Sequence, residues 1–326
     1  MTKLGYQIPN FNYPNGSRET LFEDIVAQTL AAESSGFDTV FVMDHFYQLP
    51  GLGNPDDYML ECYSLLAALA ARTSKINLGS LVTGNTYRNP TFLAKTITTL
   101  DVISGGRALL GIGAGWFELE HNALGFEFGT FTDRFEKLEE ALQIILPMLN
   151  GERPTFSGKH YSTNEAINEP QPLHDIPVMI GGGGEKKTLR MVAQYADESN
   201  LICNRDEIPR KLEVLNEHCD RMGRDVNEIC VSWLGFMGIA PTAEEAEKGR
   251  KDFFQSKGVD WDNADDDFKA MLTSRMIFGD PDQVKEQIQG LIDLGLDGVT
   301  LNMPANGHDP EMVALAGETL APLFNQ

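Results

Sequence analysis

The chain has 326 residues, 42% of them apolar, with a formal net charge of −22 and a pI near 4.6. That length suits one large α/β barrel core, and the charge disfavours a nucleic-acid backbone or an anionic membrane surface as partner. An anionic small ligand can still bind, held by local amides, helix N-termini or a few placed cations.

Cys62, Cys203, Cys219 and Cys230 show no C-x-x-C spacing and read as reduced core thiols. Met1 to Lys3 runs straight into the apolar stretch Leu4 to Ile8 without a basic leader, and Leu65 to Ala71 falls far short of the roughly 20 residues a bilayer crossing needs. The expectation is a cytoplasmic protein.

Short apolar or β-branched runs alternate with amphipathic helical patterns along the chain, the signature of parallel βα units. The predicted strands are Leu4 to Ile8, Thr39 to Met43, Ile76 to Leu81, Ala108 to Ile112, Val178 to Ile180, Ser199 to Cys203, Ile229 to Phe236 and Gly298 to Asn302. Ser17 is the expected cap of a helix carrying Leu21, Ile25, Val26 and Leu30, which Gly36 stops. Further on, Asp280, Pro281 and Gln283 form a capping-box start. Gly36-Phe37-Asp38-Thr39-Val40 and Gly295-Leu296-Asp297-Gly298-Val299 share one pattern, so the same helix-to-strand turn is used twice. Eight such units predict a (β/α)8 TIM barrel, one α/β domain over residues 1–326, with insertions at 153–176, expected to border the active site, and at 241–274, expected either to border it or to decorate the solvated surface. An open dinucleotide-binding sheet fits less well, because Trp116 stands where the glycine fingerprint needs its third glycine.

Asp44-His45-Phe46 follows the second strand, where barrel enzymes keep working residues; an imidazole there can move a proton near neutral pH. The loop Val82 to Pro90 and the glycines of Gly111 to Gly115 leave room for a flat ring, or for tight barrel packing. Glu118 and Glu120 are further proton-transfer candidates, with Gln7, Trp116 and Phe117 as candidate substrate-pocket walls. Gly181, Gly182, Gly183 and Gly184 follow a strand and open a helix, a natural phosphate seat supplemented by Lys186, Lys187 and Arg190. No Gly-Lys-Ser/Thr ends that loop, and the six histidines lack H-x-H or H-E-x-x-H spacing, so neither triphosphate hydrolysis nor a catalytic metal is expected.

Together, Phe41 to Phe46, Leu78 to Val82 with Arg88-Asn89-Pro90, Gly113 to Trp116 with Glu120, Gly181 to Gly184, and Gly279 to Val284 resemble the luciferase-like monooxygenase superfamily across nearly the whole chain. The likeness is greatest to its members that use the deazaflavin coenzyme F420. The resemblance implies a cofactor ring across the barrel mouth, its phosphate on Gly181 to Gly184, and a non-prolyl cis peptide at Ser80-Leu81. Asp44, His45, Ser80, Leu81, Val82, Thr83, Gly113, Gly115, Glu120, Ile180, Gly181, Gly182, Gly183 and Gly184 are then the expected cofactor contacts. Asp-His-Phe favours F420 and hydride transfer to or from a small organic substrate, with His45 as proton partner. FMN with oxygen insertion is the alternative, and a non-catalytic flavin-binding barrel a third. The superfamily's sugar-phosphate dehydrogenase pattern has a tryptophan soon after Asp-His-Phe, whereas Tyr47-Gln48-Leu49-Pro50 follows here. Relatives of this kind also imply a homodimer.

Overall fold

A computed structural model describes residues 1–14 and 16–324. Its eight barrel strands are β1 (Leu4–Gln7), β2 (Thr39–Val42), β3 (Asn77–Ser80), β4 (Ala108–Gly113), β5 (Val178–Gly181), β6 (Glu198–Leu201), β7 (Cys230–Ile239) and β8 (Gly298–Asn302). All pair in parallel in chain order, and the sheet closes where β8 meets β1 at Leu4↔Val299. These are the predicted strands, with ends that agree or shift by up to three residues. Every residue of β2 is buried, as expected for a parallel strand packed on both faces, which is why its sequence reads as a run and not an alternation.

Helices cover the outside. Among them are α1 (Leu21–Ser35), α2 (Cys62–Ala70), α3 (Pro90–Ser104), α4 (Glu118–Leu124), α5 (Phe131–Leu149), α6 (Thr188–Tyr195), α7 (Ile208–Met222), α8 (Ala243–Ser256), α9 (Asp266–Thr273), α10 (Pro281–Asp293) and α11 (Pro310–Phe324). The cap expected at Ser17 is displaced: Thr20 holds the N-cap position, and Ser17 opens the preceding turn by accepting from the Leu21 amide. Gly36 does end α1, at φ 103°, and Asp280 with Gln283 forms the capping box of α10.

The repeated turn has a mechanical purpose. Asp38 Oδ2 accepts from the Lys3 and Leu4 amides at 2.8 Å, and Asp297 Oδ2 accepts from the Val231 amide at 2.8 Å. Each acid precedes one strand and clasps the start of its neighbour, satisfying amides that the shorter adjacent strand leaves unpaired. Asp197 does the same for Val178 at 2.9 Å, without the glycine that made the other two recognisable.

The first insertion meets the opening turns of α5 beside the barrel mouth, through Lys159 and His160 on Asp133 and Glu136, while the second builds on the outside of the barrel. Residues 153–176 form a small hairpin, Phe156–Ser157 with Ser162–Thr163, and then run along the outside of the barrel, away from its mouth. Glu140 of α5 clamps the hairpin by accepting from the Lys159, His160 and Tyr161 amides, and Asn168 donates to Thr98 of α3. Residues 241–274 hold α8 and α9 around a small aromatic core in which Phe254 stacks on Trp261 at 4.4 Å. Just beyond, Met276–Gly279 adds an unpredicted parallel strand beside the distal half of β7.

Inside the barrel, Phe41, Leu81, Leu109, Met179 and Leu234 form an apolar plug separate from the main core. The opposite side of the interior is polar: Asn200 donates to Ser232 and Thr300, and Asn302 donates to Gln7. Removing the clasp with Asp38→Ala strands two amides and is expected to cost about 1–3 kcal/mol in denaturant unfolding. An unchanged unfolding midpoint would show that water replaces the carboxylate.

Candidate active site

A cavity of about 1050 Å³ opens at the ends of the strands. The strand termini supply its walls: Gln7 from β1, Asp44 and His45 after β2, Leu81 to Gly84 after β3, Gly113 to Trp116 at β4, Gly181 to Thr188 at β5, Leu234 and Phe236 on β7, and Asn302 on β8.

His45 is held from behind by Glu120, which is fully buried on α4. The carboxylate accepts from His45 Nδ1 at 3.0 Å, the Phe46 amide at 2.5 Å, the Tyr47 amide at 2.7 Å and the Tyr87 hydroxyl at 2.5 Å. Burial opposes ionisation of Glu120, but the bonds from His45, Tyr87 and the Tyr47 amide prevail and hold its carboxyl below the ordinary glutamate range. With the carboxylate ionised, its His45 bond requires the proton on Nδ1, which leaves Nε2 as the free ring nitrogen. Trp116 and Phe117 meet the imidazole edge-on at 5.8 and 5.6 Å and fix its plane.

Asp44, the other acid of the motif, is spent differently. Arg88 grips both its oxygens, at 2.6 and 2.9 Å, and the Gly84 amide donates to it at 3.0 Å. Arg88 also reaches Glu61 at 2.7 Å, so Asp44 is neutralised and anchors the β3–α3 loop.

The cavity floor is the turn after β3. The non-prolyl cis peptide lies at Leu81-Val82, one residue beyond the expected Ser80-Leu81. Gln7 Nε2 donates to the Leu81 carbonyl at 2.9 Å, and Gln7 Oε1 accepts from Asn302 at 2.8 Å. A side chain at Gly113 or Gly181 would strike the Val82 methyls, and one at Gly111 the Ser80 carbonyl. Those glycines are therefore required by the bulge itself, the packing alternative to a purely ligand-driven role.

At the β5 side, Gly181, Gly182, Gly183 and Gly184 curl into the mouth, with Arg134, Lys186 and Lys187 around them. Gly182 adopts φ 130°, and a Cβ at Gly183 would come within 2.9 Å of the Ile202 carbonyl oxygen, so the loop keeps its path only without side chains. Arg134 donates to the Gly115 and Gly129 carbonyls, and Lys187 lies 5.3 Å from the Phe131 and Phe135 rings; neither has a carboxylate partner among the described residues. Arg190, expected here, is instead paired with Glu139 at 2.8 Å.

Of the predicted site residues, Asp44, His45, Leu81, Val82, Thr83, Gly113, Gly115, Gly181, Gly182, Gly183, Gly184, Gln7 and Trp116 line the cavity. Five do not. Glu118 is exposed on the outer side of α4, and Glu120 sits behind His45 instead of facing the mouth. Phe117 forms the layer behind the imidazole, Ile180 faces the outer core, and Ser80 is buried beneath the bulge. Sequence reasoning missed Phe131, Arg134 and Phe135, which share one face of α5, Leu234 within β7, and Phe236 and Asn302, the last residues of two predicted strands. No metal was expected; outside the cavity, Asp133, Glu136 and His160 bring donor atoms within 4.8 Å, with Lys159 Nζ 2.8 Å from Glu136.

The family model described as luciferase-like monooxygenase matches residues 2–298. An F420-dependent glucose-6-phosphate dehydrogenase of Segniliparus rotundus is 30% identical over 88% of this chain and 89% of its own. A coenzyme F420-dependent tetrahydromethanopterin reductase from Methanopyrus kandleri superposes with a TM-score of 0.77 at 22% identity, covering 99% of both chains. An F420-dependent secondary alcohol dehydrogenase superposes at 0.80 with 19% identity, over 100% of this chain and 99% of its own. At those identities the two structures establish the fold alone.

Because the folded pKa of Glu120 is depressed, its stabilisation is present above the unfolded value and is lost as pH falls through the folded one. Glu120→Gln cannot accept four donors, so it is expected to cost about 1–3 kcal/mol at neutral pH, a deficit that shrinks in acid. Imidazole ¹⁵N spectra should show the Nδ1-protonated form of His45 give way to mixed tautomers. A pH-independent deficit with unchanged ring-nitrogen shifts contradicts this assignment.

Proposed function

Because the chain belongs to the luciferase-like monooxygenase family, we propose that its barrel mouth seats coenzyme F420 with the phosphate on Gly181 to Gly184 and the ring on Leu81 and Val82. The chain is an F420-dependent oxidoreductase that transfers hydride between the deazaflavin and a small organic substrate. One observation carries the reading of the site: a single cavity joins a glycine-rich anion seat flanked by unpaired cations to an imidazole whose proton position is set by a buried carboxylate.

The residues fit the group. The cavity volume exceeds what a ring system alone fills, its floor is apolar, and its cations provide the local positive charge that a chain of net charge −22 otherwise lacks. When bound, the deazaflavin supplies a carbon that gives or accepts hydride. His45 Nε2 takes the proton of a substrate hydroxyl as hydride leaves the carbon bearing it, or returns a proton to the carbonyl oxygen in the reverse direction. Glu120 touches neither ligand; it stabilises the imidazolium and keeps the ring aimed. Trp116, 61% exposed, shields the rim of the mouth.

A homodimer is part of the same proposal. The outer face of α3 exposes Phe92, Val102 and Ile103 beside Ile167 and Leu173 of the segment that runs along it, an apolar surface suited to a second copy. Ile103→Glu with Phe92→Glu is expected to give monomers in light scattering; an unchanged mass places any dimer elsewhere. No helix among the described residues is long and apolar enough to cross a membrane.

Titration with F420 and with FMN, read by quenching of Trp116 fluorescence against the Trp116→Phe background, tests the cofactor. F420 should bind at least about tenfold tighter than FMN, a difference of roughly 1.4 kcal/mol. The reverse order would move the chain to FMN-dependent oxygen chemistry.

A further inference from the structure

Two donors converge on one oxygen of the carboxylate behind His45. Glu120 Oε2 accepts from His45 Nδ1 at 3.0 Å and from the Tyr87 hydroxyl at 2.5 Å, while Oε1 accepts from the Phe46 and Tyr47 amides. The amides belong to the backbone and anchor the carboxylate whatever side chains surround it. Tyr87 is a side chain, and the proton transfer proposed at His45 gives it no part.

The phenol is built to stay on that oxygen. Its ring stacks on His121 at 4.7 Å and meets Phe46 and Phe126 edge-on at 5.1 and 5.2 Å. His121 is itself fixed, donating from Nδ1 to the Phe117 carbonyl at 2.8 Å and bonding through Nε2 to the Thr86 hydroxyl at 2.7 Å. A Cβ at Gly84 would come within 2.6 Å of the Tyr87 ring, so glycine there gives the phenol its seat. Burial, and then the bond to Glu120, push ionisation of the Tyr87 hydroxyl upward, which keeps it a donor and not a rival acceptor.

Sharing one oxygen has a chemical consequence. A hydroxyl donating to a carboxylate at 2.5 Å is a strong, charge-assisted hydrogen bond, and it draws on the charge of the same oxygen that faces the imidazole. The bond left to His45 is the longer of the two. A carboxylate serving the imidazole alone would hold the second ring proton firmly, and His45 would then be a poor acid toward a bound ligand. With its charge divided, Glu120 still fixes the proton on Nδ1 but stabilises the imidazolium less, so Nε2 can both take a proton and release it. The rest of the imidazole's surroundings adds little to this balance. Asp44, beside it in the chain, is neutralised by Arg88, and Trp116 and Phe117 pack on the ring without charge.

We propose that Tyr87 is a positioning residue that sets how readily His45 gives up its proton, by holding a share of Glu120 Oε2. The proposal takes His45 as the proton partner of the F420 reading. Because it concerns the imidazole of the free protein, it is decided without cofactor or turnover, and failure of F420 to bind would leave it standing.

The test is a ¹⁵N pH titration of the full chain labelled in its six histidines, with the His45 signals assigned by their loss in His45→Gln. Tyr87→Phe removes the hydroxyl and keeps the ring; the His45 titration should move to higher pH by about half a unit or more, with the proton still on Nδ1 below full protonation. Replacing Tyr87 with 3-fluorotyrosine, a stronger donor of nearly the same shape, should move it to lower pH. The other charged groups lining the cavity, Glu185, Arg134, Lys186, Lys187 and Arg275, are common to every chain compared. Thermal unfolding verifies that both variants fold, and the fluorinated chain decides the matter should Tyr87→Phe fail. A titration that is unmoved in either folded variant, or that moves in the opposite direction, overturns the proposal and leaves the phenol as packing behind Glu120. Loss of the Nδ1 proton in Tyr87→Phe overturns it too, since the phenol would then be choosing the tautomer and not tuning it.

Discussion

Closing eight parallel strands into one ring obliges every strand to end at the same mouth, and the chemistry of this protein follows from that constraint. Every barrel strand contributes residues to a shared cavity, so residues from opposite ends of the chain, Gln7 and Asn302, hydrogen bond to one another there. The opposite rim needs its own solution, because staggered strand starts leave amides unpaired. Asp38, Asp197 and Asp297 supply it, each reaching back to the preceding strand. The turn after β3 then presses so close to β4 and β5 that only glycine fits at 111, 113 and 181.

Within the mouth, two buried acids far apart in the chain have opposite assignments. Asp44 faces a guanidinium and is structural; Glu120 faces an imidazole and three further donors and is directive. Partners determine this division, since both are carboxylates of low exposure at one mouth. The same pairing explains how a strongly acidic chain can accommodate the anionic cofactor proposed for it. Asp44 and Glu185 are paired off around the cavity, while Arg134, Lys186 and Lys187 have no carboxylate partner among the described residues.

The strands were legible because parallel barrel strands are short apolar runs bounded by turn residues, and all eight appear in the fold. Gly36, Gly295 and the Asp280 box were legible because their chemistry is local. Ser17 was misjudged because a turn and a helix cap want the same residue types, and the register differs by only three positions, Ser17 against Thr20. Site residues on the strand termini could be read from position alone. Side-chain direction could not: Glu118 and Glu120 are both on α4, yet one meets solvent and the other lies buried behind His45.

A crystal structure of the protein with F420 bound is the most direct test. The expected complex has the phosphate within hydrogen-bond reach of the Gly181 to Gly184 amides, the ring against Leu81 and Val82, and His45 Nε2 beside the reacting carbon. A phosphate held away from Gly181 to Gly184, or a ring whose reacting carbon lies away from His45, would contradict it.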